Sequence, residues 1–374
     1  PPRRMGVLKR PAGADAARVL AVGIVGWYHI WQQSWVSPGP LEPLVRGGYV
    51  WVDMMILLSA FCLTLPYAFD WAEGKPFRGC EGFYRRRLVR ILPGYYLCLG
   101  VHFAVALAVG GADWRLAGDL AAHLTLTQTC FLQSYWFTRL GGALWTVGVL
   151  AGFYLLFPLL IRALWRCPLG LLGALAAVQA AFGLFARGLA GNDYLMAFNR
   201  LPAFAGVLGL GMGGALLYAK AALVLAGRYR WLFAAGAALA AVAIFGLVKN
   251  SLLDAADNRR WQLEWRMPLA GLFLALLFCL CLCMGQSGGL LRWLAGASYG
   301  FYLWHQSVAV WLKQARIPFW EGDVPPNQMW DTVWMAKYNL LCWGAALAVS
   351  AAAWLAEKRL TAWIQRRKNA AKTA

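Results

Sequence analysis

Acidic residues are scarce in this chain. Its 374 residues hold 16 Asp and Glu against 35 Lys and Arg, and charged residues make up only 14%. Soluble domains average about 25% charged residues, so this sequence is too poor in charge to dress a water-soluble surface of its length. Histidine is rarer still. There are four, at positions 29, 102, 123 and 305, which confines any imidazole chemistry to a few places. The nine cysteines form no paired framework. Cys279, Cys281 and Cys283 share one apolar run, and the i, i+2, i+4 spacing spreads them over a wide arc of a helix, which is poor geometry for a metal. They read as small hydrophobes, and no metal is expected. The chain shows no internal repeat, no low-complexity domain and no cleavable signal pattern. It opens on Pro1-Pro2-Arg3-Arg4, and its first apolar run is long enough to stay in a membrane.

What the sequence has in abundance is apolar length. Hydrophobic residues make up 61%, and the mean hydropathy is +0.54. Runs of roughly 20 apolar residues match the hydrocarbon thickness of a bilayer. Reading the runs and their Gly and Pro breakers predicts ten spans, near 16–36, 48–68, 88–109, 143–164, 168–186, 203–224, 231–248, 268–285, 291–312 and 335–356. Asp15 is placed to cap the first, and the connection around Arg166, Cys167 and Pro168 is tight. The expected fold class is an all-α polytopic integral membrane protein. Residues 1–12 read as a basic, disordered cytoplasmic N-terminus, 13–360 as the transmembrane domain, and 361–374 as a basic cytoplasmic tail.

Orientation follows from counting charge. With the N-terminus in the cytoplasm, the inside segments collect Arg3, Arg4, Lys9, Arg10 and Arg18. They also collect Lys75, Arg78, Arg85, Arg86, Arg87 and Arg90, then Lys220, Arg228 and Arg230, and the basic tail from Lys358 to Lys372. The outer loops hold most of the acids, among them Asp113, Asp119, Asp193, Asp254 and Asp257. Positive loops stay inside, so both termini are expected in the cytoplasm. The same rule accounts for the net charge of +19 without nucleic acid as a partner.

Ionisable groups at membrane depth are costly and mark function by default. Arg18 and His29 are eleven residues apart on the first span. On a helix that is three turns plus about 20°, so both lie on one face with a rise of about 16 Å. Gln32 and Gln33 carry the polar stripe outward. The second span bears Asp53 and the ninth His305. Counted from the outer boundary, His29, Asp53 and His305 share a layer roughly 8–12 Å deep. Two imidazoles and a carboxylate at one level suggest proton transfer, with an imidazole as base and a partner fixing its tautomer. The bland alternative is a histidine that merely bonds a neighbouring helix. That reading fits His102, which has no polar stripe, and His123, which lies in an outer loop.

The run Phe83-Tyr84-Arg85-Arg86-Arg87-Leu88-Val89-Arg90 lies on the cytoplasmic face. Topology and anionic-lipid contact explain it. A sharper reading is a phosphate site, since Arg makes bidentate phosphate contacts, with Arg18 at the same level. Gly206, Gly209, Gly211, Gly213 and Gly214 permit close helix packing. Trp261, Trp265, Trp320 and Trp330 fit an interfacial aromatic belt, with sugar stacking as the alternative.

Four stretches resemble acyltransferase family 3. They are the Arg18-to-His29 spacing, Gly48 through Phe61 with Asp53 inside it, Phe83 through Pro93, and Ala297-Ser298-Tyr299-Gly300-Phe301-Tyr302-Leu303-Trp304-His305. Weaker likenesses occur at Leu144-Trp145-Thr146, at Phe153 through Pro158 and at Arg200 through Phe204. The likeness runs from about residue 16 to 356, in family order. It implies a ten-helix membrane fold that moves an acyl group, usually acetyl from acetyl-CoA, to a hydroxyl of a carbohydrate or glycolipid acceptor. It also implies that Arg18 and His29 match residues essential in the family. One stretch departs from the pattern. Between Val149 and Phe153 many members carry an acid and a glutamine, where this chain has Leu150, Ala151 and Gly152.

The expectation is therefore an O-acetyltransferase of a bacterial plasma membrane that acts on the cell envelope. Acyl-CoA binds at the cytoplasmic face near Arg18, Arg85, Arg86, Arg87 and Arg90. His29 is the base, and Asp53 or His305 orients it. The lipid bilayer is a partner, and a homo-oligomer stays open. A small-molecule transporter or permease-like module is the alternative, and a catalytically silent scaffold a third.

Overall fold

A computed structural model describes residues 11–225, 227–251 and 261–373, and for residues 251, 261, 262, 357 and 360–373 it describes the backbone alone. Residues 1–10 of the segment 1–12 expected to be disordered, the acids Asp254 and Asp257, and the side chain of Trp261 lie outside this description, while Ala12 already opens the first helix. Among the described residues there is helix and no strand. Each of the ten expected spans falls on one long helix. These are α1 (Ala12–Ser34), α2 (Trp51–Ala72) and α3 (Phe83–Gly110); the short α4 (Trp114–Leu124), which is not a span; then α5 (Trp145–Arg166), α6 (Pro168–Ala186), α7 (Ala205–Leu225), α8 (Arg230–Ser251), α9 (Arg266–Cys283), α10 (Gly289–Gln314) and α11 (Thr332–Thr373).

Among the described residues, eight helices are both long and apolar enough to cross a bilayer. α1 and α10 have the length but not the apolarity. Their polar residues, Arg18, His29, Gln32 and Gln33 on α1 and His305, Gln306 and Ser307 on α10, lower it. Elsewhere large apolar side chains point outward, including Leu159, Leu169, Leu239 and Val242. In water such exposure would drive aggregation. In lipid it is the required surface, because a helix satisfies its own backbone and needs only an apolar coat.

Helix ends follow local chemistry. Asp113 caps α4 by accepting from the Leu116 N–H at 2.6 Å. Pro168 opens α6, where a missing N–H costs nothing. Asp15 does not cap α1: the helix already starts at Ala12, and the buried Asp15 carboxylate accepts from the Ser287 hydroxyl at 2.8 Å. α11 does not stop near residue 356. Its backbone stays helical to Thr373, through the tail expected from 361.

The fold divides into two compact units. One comprises residues up to 28, 38–81 and 146–296; the other comprises 29–37, 82–145 and 297 onward. In the first, Leu57, Phe61, Phe153, Phe157, Phe204 and Phe273 are wholly buried. The glycines of α7 bring it against α2. A Cβ added at Gly211 would lie 2.3 Å from the Leu57 carbonyl oxygen, so no larger residue fits that crossing. Gln179 of α6 accepts from the Gly206 and Val207 N–H groups at 2.8 and 3.2 Å, satisfying donors that the start of α7 would leave bare. In the second unit, Ile30, Ala309, Trp334, Met335, Tyr338 and Cys342 form one buried cluster. The Tyr338 hydroxyl donates to the Ala309 carbonyl and ties α11 to α10.

Candidate functional site

The end of α1 and the middle of α10 bring two of the four histidines together. The ring centroids of His29 and His305 are 5.1 Å apart, with the planes tilted by 48°. The i+3 spacing on α1 sets Gln32 over His29, and its Oε1 lies 2.9 Å from His29 Nδ1. An amide oxygen only accepts, so Nδ1 carries the proton and Nε2 keeps the lone pair. His305 is similarly fixed. Its Nδ1 donates to the carbonyls of Tyr302 at 2.8 Å and Phe301 at 3.2 Å, which leaves Nε2 as acceptor. That Nε2 is buried and has no hydrogen-bond partner among the described residues. A buried polar atom left unmet costs about 1–3 kcal/mol, which a purely structural histidine would avoid. The Phe301 ring stacks nearly parallel to two others, Trp343 at 5.2 Å and His305 at 5.6 Å. This column holds the His305 ring in place.

The two histidines differ in access. His305 is 1% exposed, whereas His29 is partly accessible and Gln32 beyond it is exposed.

Asp53, also expected in this layer, lies in the other unit. It is buried in α2, and its Oδ2 accepts from Arg266 Nε at 3.0 Å. Arg266 further donates to the carbonyls of Phe198 at 3.0 Å and Ala203 at 3.3 Å, and stands 4.2 Å from the centroid of the Phe204 ring. Sequence reading missed Arg266 because it placed the span just after it. The available signal was Asp53 itself, since a carboxylate at that depth needs a cation.

Arg18 sits mid-turn on α1 and is partly accessible, and α1 runs unbroken from there to His29. Leu150 is half-buried on α5. Arg85, Arg86 and Arg90 are exposed in the first two turns of α3, and Arg87 is half-buried with its guanidinium 5.7 Å from the Phe83 ring. Positive side chains there stack on the positive pole of the helix dipole, an arrangement that favours an anion. In the loop before α3, a hydrogen bond to Asp70 raises the Arg78 pKa above its ordinary value, and Glu73 does the same for Lys75.

The remaining histidines have structural partners. His102 of α3 donates from Nδ1 to the Cys98 carbonyl at 2.8 Å and accepts at Nε2 from the Ser307 hydroxyl. Gly141, at φ +100°, brings the loop backbone against its ring, where a Cβ would meet Nε2 at 3.0 Å. His123 of α4 lies 3.0 Å from the Asp119 carboxylate, while the Tyr95 hydroxyl donates to the His123 carbonyl. Among the described residues, no three His, Cys, Asp or Glu side chains converge as they would around a metal.

The model of the acyltransferase domain, family 3, matches residues 12–336, most of the chain. No curated protein and no solved structure matches.

Proposed function

This chain belongs to acyltransferase family 3 and is a multi-pass membrane acyltransferase; from that premise we propose that it moves acetyl from cytoplasmic acetyl-CoA to a hydroxyl of a cell-surface carbohydrate or lipid-linked acceptor. The observation that carries this reading is the His29–His305 pair, with both Nδ1 atoms committed as donors and a bare, buried Nε2 on His305.

In the proposed step, His29 Nε2 takes the proton from the acceptor hydroxyl as its oxygen attacks the thioester carbonyl. The tetrahedral intermediate collapses with cleavage of the C–S bond. The departing thiolate takes the proton from the His29 imidazolium, which yields the ester and free CoA. His305 Nε2 accepts a hydrogen bond within the site and so holds the hydroxyl or a water in line. Arg85, Arg86, Arg87 and Arg90 are proposed to hold the CoA phosphates, where helix pole and guanidinium groups reinforce each other. The run of α1 from Arg18 to His29, about 16 Å, matches the reach the pantetheine arm needs. Charge asymmetry between loops supports cytoplasmic entry of the donor, and the proposed setting is a bacterial plasma membrane.

The test is acyl-CoA-dependent thiol release by the protein in nanodiscs. Wild type should release CoA in proportion to acceptor, and His29→Ala should not. No thiol release by wild type with any hydroxylated acceptor would favour the transporter reading instead.

A further inference from the structure

Two tryptophans above the histidine pair stand in backbone conformations that tryptophan rarely adopts. Trp35 follows the last residue of α1, at φ 58°. Trp330 ends the short 3₁₀ turn Pro326–Met329, also at φ 58°. Helix ends usually give this left-handed position to Gly or Asn, because a Cβ is crowded there. Both positions instead carry the bulkiest side chain, and the two rings meet, with centroids 6.4 Å apart and planes tilted by 50°. Neither ring is put away: Trp35 is 40% exposed and Trp330 70%. Backbone strain that persists in two places and converges on one ring pair points to use of that pair.

The surroundings say what it is used on. An interfacial belt packs its aromatics among lipid. Here Gln32, Ser37, Gln328 and Asp331 are exposed beside the two rings in sequence. Asn327, whose carbonyl accepts from the Trp330 N–H at 3.3 Å, is fully buried, and neither atom of its side-chain amide has a partner among the described residues. Aromatic faces flanked along the chain by exposed amides and by a carboxylate, which also accepts from the Trp334 N–H at 2.9 Å, suit a ring with apolar C–H faces and a hydroxyl rim. The position suits the chemistry as well. His29, Gln32 and Trp35 succeed one another at three-residue steps, so Trp35 lies about 9 Å along the axis beyond His29.

We infer that Trp35 and Trp330 form a stacking platform for a pyranose ring of the acceptor, with Asn327 supplying the polar anchor of that turn. The inference deepens the acyl-transfer reading and rests on it for the role of His29. The platform selects a saccharide over a simple alcohol and delivers a hydroxyl toward the pair below.

The experiment uses the full chain in nanodiscs with chitotriose and maltotriose as probes. Saturation-transfer NMR reads magnetisation passed from protein aromatics to the saccharide ring C–H protons. Wild type should show saturable transfer. Trp35→Ala and Trp330→Ala should weaken binding about tenfold or more, while Trp35→Phe, which keeps a ring face, should retain most of it. Circular dichroism verifies that each variant keeps its helix content. Absence of transfer in wild type with both saccharides, or equal binding by the alanine variants, overturns the platform. So does quenching of Trp35 and Trp330 by brominated phospholipid, which would place them in the belt. Thiol release separates the two readings. Release without saccharide transfer sinks the platform alone, and saccharide transfer without release leaves the platform and sinks acyl transfer.

Discussion

His29 and His305 meet with ring centroids 5.1 Å apart, although 275 residues lie between them along the chain. Each imidazole is oriented by a local acceptor, Gln32 for one and the Tyr302 carbonyl for the other, so the pair is arranged before any substrate arrives.

His305→Phe tests the bare Nε2. Phenylalanine keeps the stack on Phe301 and removes both ring nitrogens, the acceptor Nε2 and the Nδ1–H that bonds the Tyr302 and Phe301 carbonyls of its own helix. The variant should stay folded, with thermal unfolding close to wild type, while kcat falls by about 10²-fold, the usual size of a lost proton-handling group. Steady-state thiol release measures it, and an unchanged kcat assigns His305 to packing.

Arg266→Met should destabilise the protein by about 3–5 kcal/mol, because it leaves Asp53 charged and buried without its partner. Asp53→Asn combined with Arg266→Met should recover much of that loss. A double-mutant cycle on unfolding in detergent gives the coupling, and additive losses would show that the pair does not act as a unit.

Gly211→Leu should separate α7 from α2. The added side chain would start 2.3 Å from the Leu57 carbonyl oxygen, and overpacking of this kind costs about 1–3 kcal/mol or more. Gly246, with open space at its Cβ, is the control: Gly246→Ala should leave the unfolding temperature unchanged or raise it.

Replacing Arg85, Arg86 and Arg90 together by Gln should raise KM for acyl-CoA about tenfold and leave kcat near wild type, since these residues are proposed to bind phosphate far from the reacting atoms. The effect should shrink at high salt. A fall in kcat with KM unchanged would contradict that role.

The helices were legible in the sequence because lipid demands continuous apolar length, and each predicted run fell on one helix. The boundaries drifted where tertiary contacts decide them. Asp15 looks like a cap by residue type, yet it lies inside the first turn because Ser287 supplies its partner. His29 and His305 could be placed at one depth by counting residues, but depth says nothing of which helices are neighbours. The structure puts those two side by side and gives Asp53 to Arg266. Trp330 stood out in the sequence as a belt or sugar-stacking residue, but its pairing with Trp35 did not, since a positive φ at tryptophan has no residue signature.

The central claim is that His29 is the base of an acyl transfer. The most direct test is acceptor-dependent release of CoA thiol from acetyl-CoA by nanodisc-embedded wild type and His29→Gln, which keeps a polar side chain in the same place. A loss of at least 10²-fold in kcat, with helix content and unfolding temperature unchanged, is the predicted result. Turnover retained within a few-fold of wild type would contradict it.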